Sequence, residues 1–197
     1  MCFAKKAKVD TRAQDLMLAD SQRARAEEEA RKARIQAGTQ KIDQTFAGFD
    51  DGFFKTFRDK TEGLSQPDLT GKFTDAKSGL AYALARAGTL NSTIAADKQG
   101  DLQKSYDQNR AMILSNADRA TTDLRQRTAN EKSGLVSLLN ATGDADRASN
   151  EALARSAVLF QEQPAYQPLG DIFAGAAEGI GSYLAGQQNR QAYNNSF

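Results

Sequence analysis

Apolar side chains recur along this chain at steps of three and four residues, the period of an α-helix. Gly88 suits the left-handed residue that ends a helix, and Asn91 or Ser92 can cap the next one. The sequence therefore predicts two helices packed antiparallel around residues 87–92. The helix before this corner follows Pro67 and carries an apolar stripe whose members are spaced by 4, 3, 4, 4 and 3 residues. They are Leu69, Phe73, Ala76, Leu80, Leu84 and Ala87.

The second helix of this hairpin is predicted over residues 93–140, with Gly100 and Gly134 weakening it locally. At a rise of 1.5 Å per residue, a continuous helix of this length would run about 70 Å. Gly143 can end it, and Asp144 can cap a shorter helix that reaches about Phe160. The apolar residues that share approximately one face of the long helix are Ile94, Leu102, Tyr106, Ile113, Ala117, Ala120, Leu124, Leu135 and Leu138.

The region before the hairpin is also helical by pattern, from about residue 11 to residue 60. Its first half is rich in Ala, Arg and Glu and almost free of large apolar residues, so a helix here needs a partner to be ordered. Residues 61–66 are predicted to connect to a new helix that Ser65 caps and Pro67 opens. The second half carries one predicted packing or interaction stripe, within or between subunits, made of Ile35, Ile42, Phe46, Phe49, Phe53 and Phe57.

The end of the chain, residues 169–186, is rich in glycine and apolar residues. Gly175 and Gly179 have the spacing of a close helix contact, which predicts contact with a neighbouring subunit or with a membrane. Asp171 and Glu178 oppose burial in lipid, because an isolated buried carboxylate is costly. The residues predicted to make this membrane or oligomer contact are Ile172, Phe173, Gly175, Gly179, Ile180 and Leu184.

Together these patterns predict an all-α fold, an elongated helical hairpin or bundle with long helices and a glycine-rich C-terminal helix. The predicted regions are a polar and then Phe-striped helix at 1–60, a hairpin core at 61–143, a short helix at 144–163 and the glycine-rich segment at 164–197.

The composition removes several kinds of chemistry. The 26 Lys and Arg residues nearly balance the 25 Asp and Glu residues, so nucleic acid is expected only as a neighbour. Without histidine and with a single cysteine, Cys2, the usual catalytic triads and most zinc sites are excluded. Glu62 lacks the surroundings of a cell-wall lytic glutamate. We expect no enzyme activity, no catalytic residue, no metal and no cofactor.

Three features together resemble the small internal virion proteins of short-tailed bacteriophages. They are the opening residues 1–3 (Met-Cys-Phe), the Ala/Arg/Gln-rich helical middle that contains residues 82–90, and the glycine-rich end. The resemblance implies a protein packaged in the head near the portal and ejected with the genome, where it helps to form a conduit across the host envelope. It implies contacts with other virion proteins such as the portal, and contact with the host membrane after ejection. Independently, the phenylalanine stripe and the long helix present more apolar surface than one hairpin can cover, which predicts a homo-oligomer or a tight complex with another virion protein.

Two other interpretations stay open from the residues. The chain could be a portal-associated or head-to-tail structural component that stays in the particle. It could also be a cellular helical adaptor with no viral role. The first expectation is an internal (ejection) protein, located in the virion and then in the host envelope.

Overall fold

The computed structural model describes residues 11–166, 168–170 and 172–173, about 86% of which are α-helical and none of which forms a strand. The predicted all-α class, a bundle of long helices, is confirmed. The predicted glycine-rich C-terminal helix lies almost entirely outside the described residues. The four helices are α1 (Thr11–Phe46), α2 (Asp51–Arg86), α3 (Thr93–Thr142) and α4 (Ala145–Phe160).

The chain divides into two compact units. The first combines Met1–Phe49 with Arg127–Gln161, so its described part holds α1, the end of α3, and α4. The second combines Asp50–Gln126 with Glu162–Phe197, so its described part holds α2, most of α3 and the residues that follow α4.

The second unit is the antiparallel hairpin that the sequence predicts. Gly88 adopts the left-handed conformation with φ of 68°, and the amide of Thr89 donates to the carbonyl of Leu84 at 3.0 Å, which closes the end of α2. The hydroxyl of Ser92 then accepts from the amide of Ala95 at 3.3 Å. The core at this end of the hairpin contains Leu80, Leu84, Ala95 and Leu102.

Helix α2 runs without interruption through residues 61–66, so the predicted connector and the predicted helix start are wrong. Ser65 is a buried residue in the helix, 8% exposed, and does not cap it. Pro67 lies inside the helix, where the loss of one backbone hydrogen bond costs about 3 kcal/mol. Burial of Phe57 and Leu69 on either side offsets this cost, because both side chains pack in the hairpin only if the helix continues.

The first unit is a three-helix arrangement. The second half of α1 runs antiparallel to the end of α3, because Asp43 pairs with Lys132 at 2.8 Å whereas the earlier Arg31 reaches the later Asn140. Helix α4 returns parallel to α1 after the turn at Gly143, whose φ is 67°. The amide of Arg147 donates to Asp144 Oδ1 at 3.0 Å, so the predicted cap of α4 is confirmed.

Residues 47–50 are not helical and separate α1 from α2, whereas the sequence predicts one continuous striped helix through this region. That prediction is wrong, because Asp50 caps a new helix: its backbone is extended, and its Oδ1 accepts from the amide of Phe53 at 2.8 Å. Gly48 belongs to this corner, since a Cβ there would lie 2.7 Å from the ring of Phe160. The corner therefore needs a side chain that caps and a residue without a Cβ.

Asp50→Ala should lower the free energy of unfolding by about 1 kcal/mol, because the first turn of α2 loses the acceptor for one of its free amides. Asp50→Asn is the matched control, since its amide oxygen can accept the same hydrogen bond. Urea denaturation followed by circular dichroism checks both variants. Equal losses for Ala and Asn would show that the carboxylate does not act as a cap.

Candidate interaction surfaces

The four phenylalanines predicted to form one stripe are divided between the two units. Phe46 and Phe49 belong to the first unit, where Phe46 is 5% exposed and the Phe49 ring stacks on Phe160 with centroids 4.1 Å apart. Phe53 and Phe57 belong to the second unit, where Phe57 is 8% exposed and Phe53 is half-buried. The stripe is used for packing within the chain, so by itself it does not require a second subunit.

Phe54 was missed by the sequence analysis and is 5% exposed. The guanidinium of Arg125 lies 4.5 Å from its ring centroid, and Nη2 of the same arginine pairs with Asp51 Oδ1 at 2.8 Å. This cluster joins the first turn of α2 to α3 by burial, a cation–π contact and an ion pair. In a helix capped by Asp50, the three-residue step from Phe54 to Phe57 places both rings on one face, and this is the sequence signal for the burial of Phe54.

Leu80 and Leu84 lie where the sequence places them, facing the early part of α3. Leu84 is fully buried and Leu80 is 1% exposed. Both belong to the cluster that includes Ala95 and Leu102. These two predicted interaction residues therefore hold α2 on α3.

Large apolar side chains are exposed in both units of the described chain; those of the second unit are scattered and include Leu64, Tyr82, Leu90 and Met112, and those of the first unit fall in two helices. In α1, three consecutive apolar residues are exposed to solvent: Leu16, Met17 and Leu18. In α4, Leu153 is 60% exposed and Val158 is 71% exposed. Both surfaces belong to the first unit.

The first half of α1 is the larger of these surfaces. From residue 12 to residue 34 every side chain is exposed except the half-buried Ala19, and Arg31 reaches the carbonyl of Asn140 at 2.8 Å. Glu28 and Lys32 pair one turn apart at 2.8 Å. Their hydrogen bond lowers the pKa of Glu28 and raises that of Lys32. A helix exposed on all sides is stabilised only weakly by such pairs, so this surface is suited to a partner.

Charged side chains of the described residues join helices to one another. Arg58 Nε pairs with Asp118 Oδ1 at 2.5 Å, which raises the pKa of the arginine, and Arg58 also lies 3.8 Å from Glu62. Glu62, considered above as a lytic residue, therefore belongs to a cross-hairpin ion network. Arg155 pairs with Glu131 at 2.6 Å in the first unit, and this raises its pKa. These acids act as structural partners of arginine.

An open concavity on α3 includes Asp118, Arg119 and Ser115 in its lining. Its one-sided lining by a single helix leaves a ligand largely in water, and Asp118 is already paired with Arg58. Among the residues that the structure describes, no three side chains of the metal-binding types come close enough together to hold a metal ion.

The predicted C-terminal contact residues are described only in part. Ile172 and Phe173 are half-buried, and the Phe173 ring lies 6.0 Å from that of Phe73 in α2. Within the described part of the chain, no helix combines the length and the hydropathy needed to span a bilayer. The other four predicted residues lie outside the described part: Gly175, Gly179, Ile180 and Leu184.

The fold and its surfaces define an all-α protein whose helices are joined by apolar seams and ion pairs, with exposed helical faces in its first unit. Comparison of the chain with family models, with curated proteins and with solved structures gave no match.

Proposed function

We propose that this chain is an internal virion (ejection) protein of a short-tailed bacteriophage, packed near the portal and delivered with the genome. The observation that carries the proposal is the exposed first half of α1, a helix of more than five turns without a covering partner in its unit among the described residues. Most helical stability in proteins comes from packing of one face against a neighbour, so this exposed helix is suited to an assembly.

The composition of this surface favours protein neighbours over nucleic acid. The acidic residues Glu27 and Glu29 lie in a group between basic residues such as Arg25 and Arg31, and a phosphate backbone would be repelled by the acids. Interspersed acidic and basic side chains on an exposed helix can form ion pairs with a neighbouring helix. Copies of the chain and other virion proteins, including the portal, are the proposed partners.

The exposed face of α4 adds a second contact surface in the same unit. Leu153 and Val158 are exposed and lie about 140° apart around α4, one on either side of the stripe that buries Ala148 and Ala152. Two contact surfaces on one unit allow heterologous contacts, and these close into rings when the rotation between copies is suitable. A ring is the arrangement expected around a portal axis.

Ejection and permanent residence in the particle make different predictions for the fate of the protein. Purified particles of the phage that encodes the chain are adsorbed to host cells while protein synthesis is blocked. The cells are then fractionated, and the chain is quantified by mass spectrometry in the envelope and in the emptied particles. The major capsid protein, which stays outside, is the control for contamination.

We expect the chain in purified particles and its transfer to the envelope fraction after adsorption. Retention in the emptied particles would contradict ejection and favour a portal-associated or head-to-tail component. Absence from purified particles would contradict both and favour a cellular helical adaptor.

A further inference from the structure

The described residues that follow α4, namely 162–166, 168–170 and 172–173, lie along the hairpin of the second unit, and we call them the strap. The ammonium group of Lys72 in α2 donates to the backbone carbonyls of Leu169 and Gly170. The same ammonium group lies 3.6 Å from Asp68 Oδ2, one turn earlier. One lysine thus connects the backbone of the strap to α2.

A second contact holds the strap at Tyr166, three residues before Leu169. The hydroxyl of Tyr166 donates to Asp68 Oδ2 at 3.1 Å, and partial desolvation together with this bond raises the pKa of the tyrosine. Asp68 therefore accepts from the strap while it pairs with Lys72. These three side chains form one polar anchor.

The third contact is apolar. Phe173 packs 6.0 Å from Phe73, whose ring lies 4.5 Å from that of Tyr106 in α3. Phe73 and Phe173 both pack against the buried cluster around Leu80. The strap thereby extends the hairpin core at its edge.

These contacts are weaker than those that hold α2 on α3. The described strap has no helix or strand, Tyr166 is 49% exposed, and Pro164 and Pro168 have no amide to donate. The hairpin beneath it buries leucines completely. Segments with few buried contacts open at a lower free energy than the core beneath them.

We propose that the strap is a releasable latch: Lys72, Asp68 and Phe73 hold the strap on the hairpin, and undocking changes where the chain enters the residues that follow Phe173. Docked, the strap directs that entry from the edge of the α2–α3 core. Undocked, the strap acts as a tether that lets the residues after Phe173 reach a surface away from the hairpin. The idea that the strap is released during genome delivery rests on the proposed function. The latch itself does not depend on that function.

Fluorine NMR of the full chain tests the latch directly. 4-Fluorophenylalanine is placed at position 173, and its resonance is compared with that of the urea-unfolded chain. We expect a shifted resonance for the docked ring beside Phe73, in exchange with a minor resonance near the unfolded position. Lys72→Ala should raise the ratio of free to docked signal about tenfold, because it removes charged hydrogen bonds.

Two controls separate the latch from general effects. Lys77→Ala removes an exposed lysine from the same helix and should leave the ratio unchanged. The label placed at Phe160, in the first unit, should not respond to Lys72→Ala.

Three results would overturn the proposal. They are an unfolded-like resonance at position 173 in the unmodified chain, equal effects of Lys72→Ala and Lys77→Ala, and the absence of exchange in both the unmodified chain and Lys72→Ala. The cell fractionation described above tests the proposed function separately, so each can fail without the other.

Discussion

Leu84→Ala should lower the free energy of unfolding by about 2 to 5 kcal/mol. Leu84 is fully buried between α2 and α3, and its truncation leaves a cavity among Leu80, Ala95 and Leu102. The neighbouring backbone cannot collapse freely into the gap, because the turn at Gly88 holds both helix ends. Urea denaturation followed by circular dichroism measures the loss.

The control for this substitution is Leu64→Ala in the same helix. Leu64 is 42% exposed, so the same change of side chain removes less buried surface and should cost well under half as much. Equal costs for the two variants, or no loss at Leu84, would contradict the packing of α2 on α3.

Gly38→Leu should destabilise the first unit by about 1 to 3 kcal/mol or more. A Cβ at Gly38 would lie 2.8 Å from Leu139 Cδ2 and 3.1 Å from Ala145 Cβ, so α1 meets both α3 and α4 at this point. Leu139 is fully buried and has little room to move. A larger side chain must therefore push the helices apart, which costs packing energy.

Gly71→Leu is the matched control, since Gly71 is an exposed helical glycine with nothing within 4 Å of a Cβ. Leucine has the higher helix propensity, so this variant should be about 0.5 to 1 kcal/mol more stable than the unmodified chain. Denaturation curves of both variants check the pair. A Gly38→Leu chain as stable as Gly71→Leu would exclude the close approach of the three helices.

The hairpin and α4 could be predicted because local residues define them. Gly88 and Gly143 end helices through a left-handed conformation that other residues adopt only with strain. Asp144 caps α4 because its side chain reaches an amide three residues along. Such interactions span a few residues, so they can be read from the order of the chain.

The uninterrupted course of α2 through Pro67 could not be predicted by the same reasoning. A proline after Ser65 is typical of a first helical turn, and an unbroken period of phenylalanines is typical of one helix. The Asp50 cap starts the helix at Asp51, and burial of Phe57 and Leu69 on either side of Pro67 favours its continuation through the proline. That burial depends on residues more than 30 positions away.

The contact residues divide in the same manner. The order of residues by itself determined that the chain is helical, where two of its corners lie, and that Leu80 and Leu84 face α3, because periodicity and capping act within a few turns. Only the tertiary structure decided that the phenylalanine stripe is split between two units and that Gly38 is a close approach of three helices. It alone placed Lys72 on the backbone of the strap, since these contacts join residues far apart in the chain that only folding brings together.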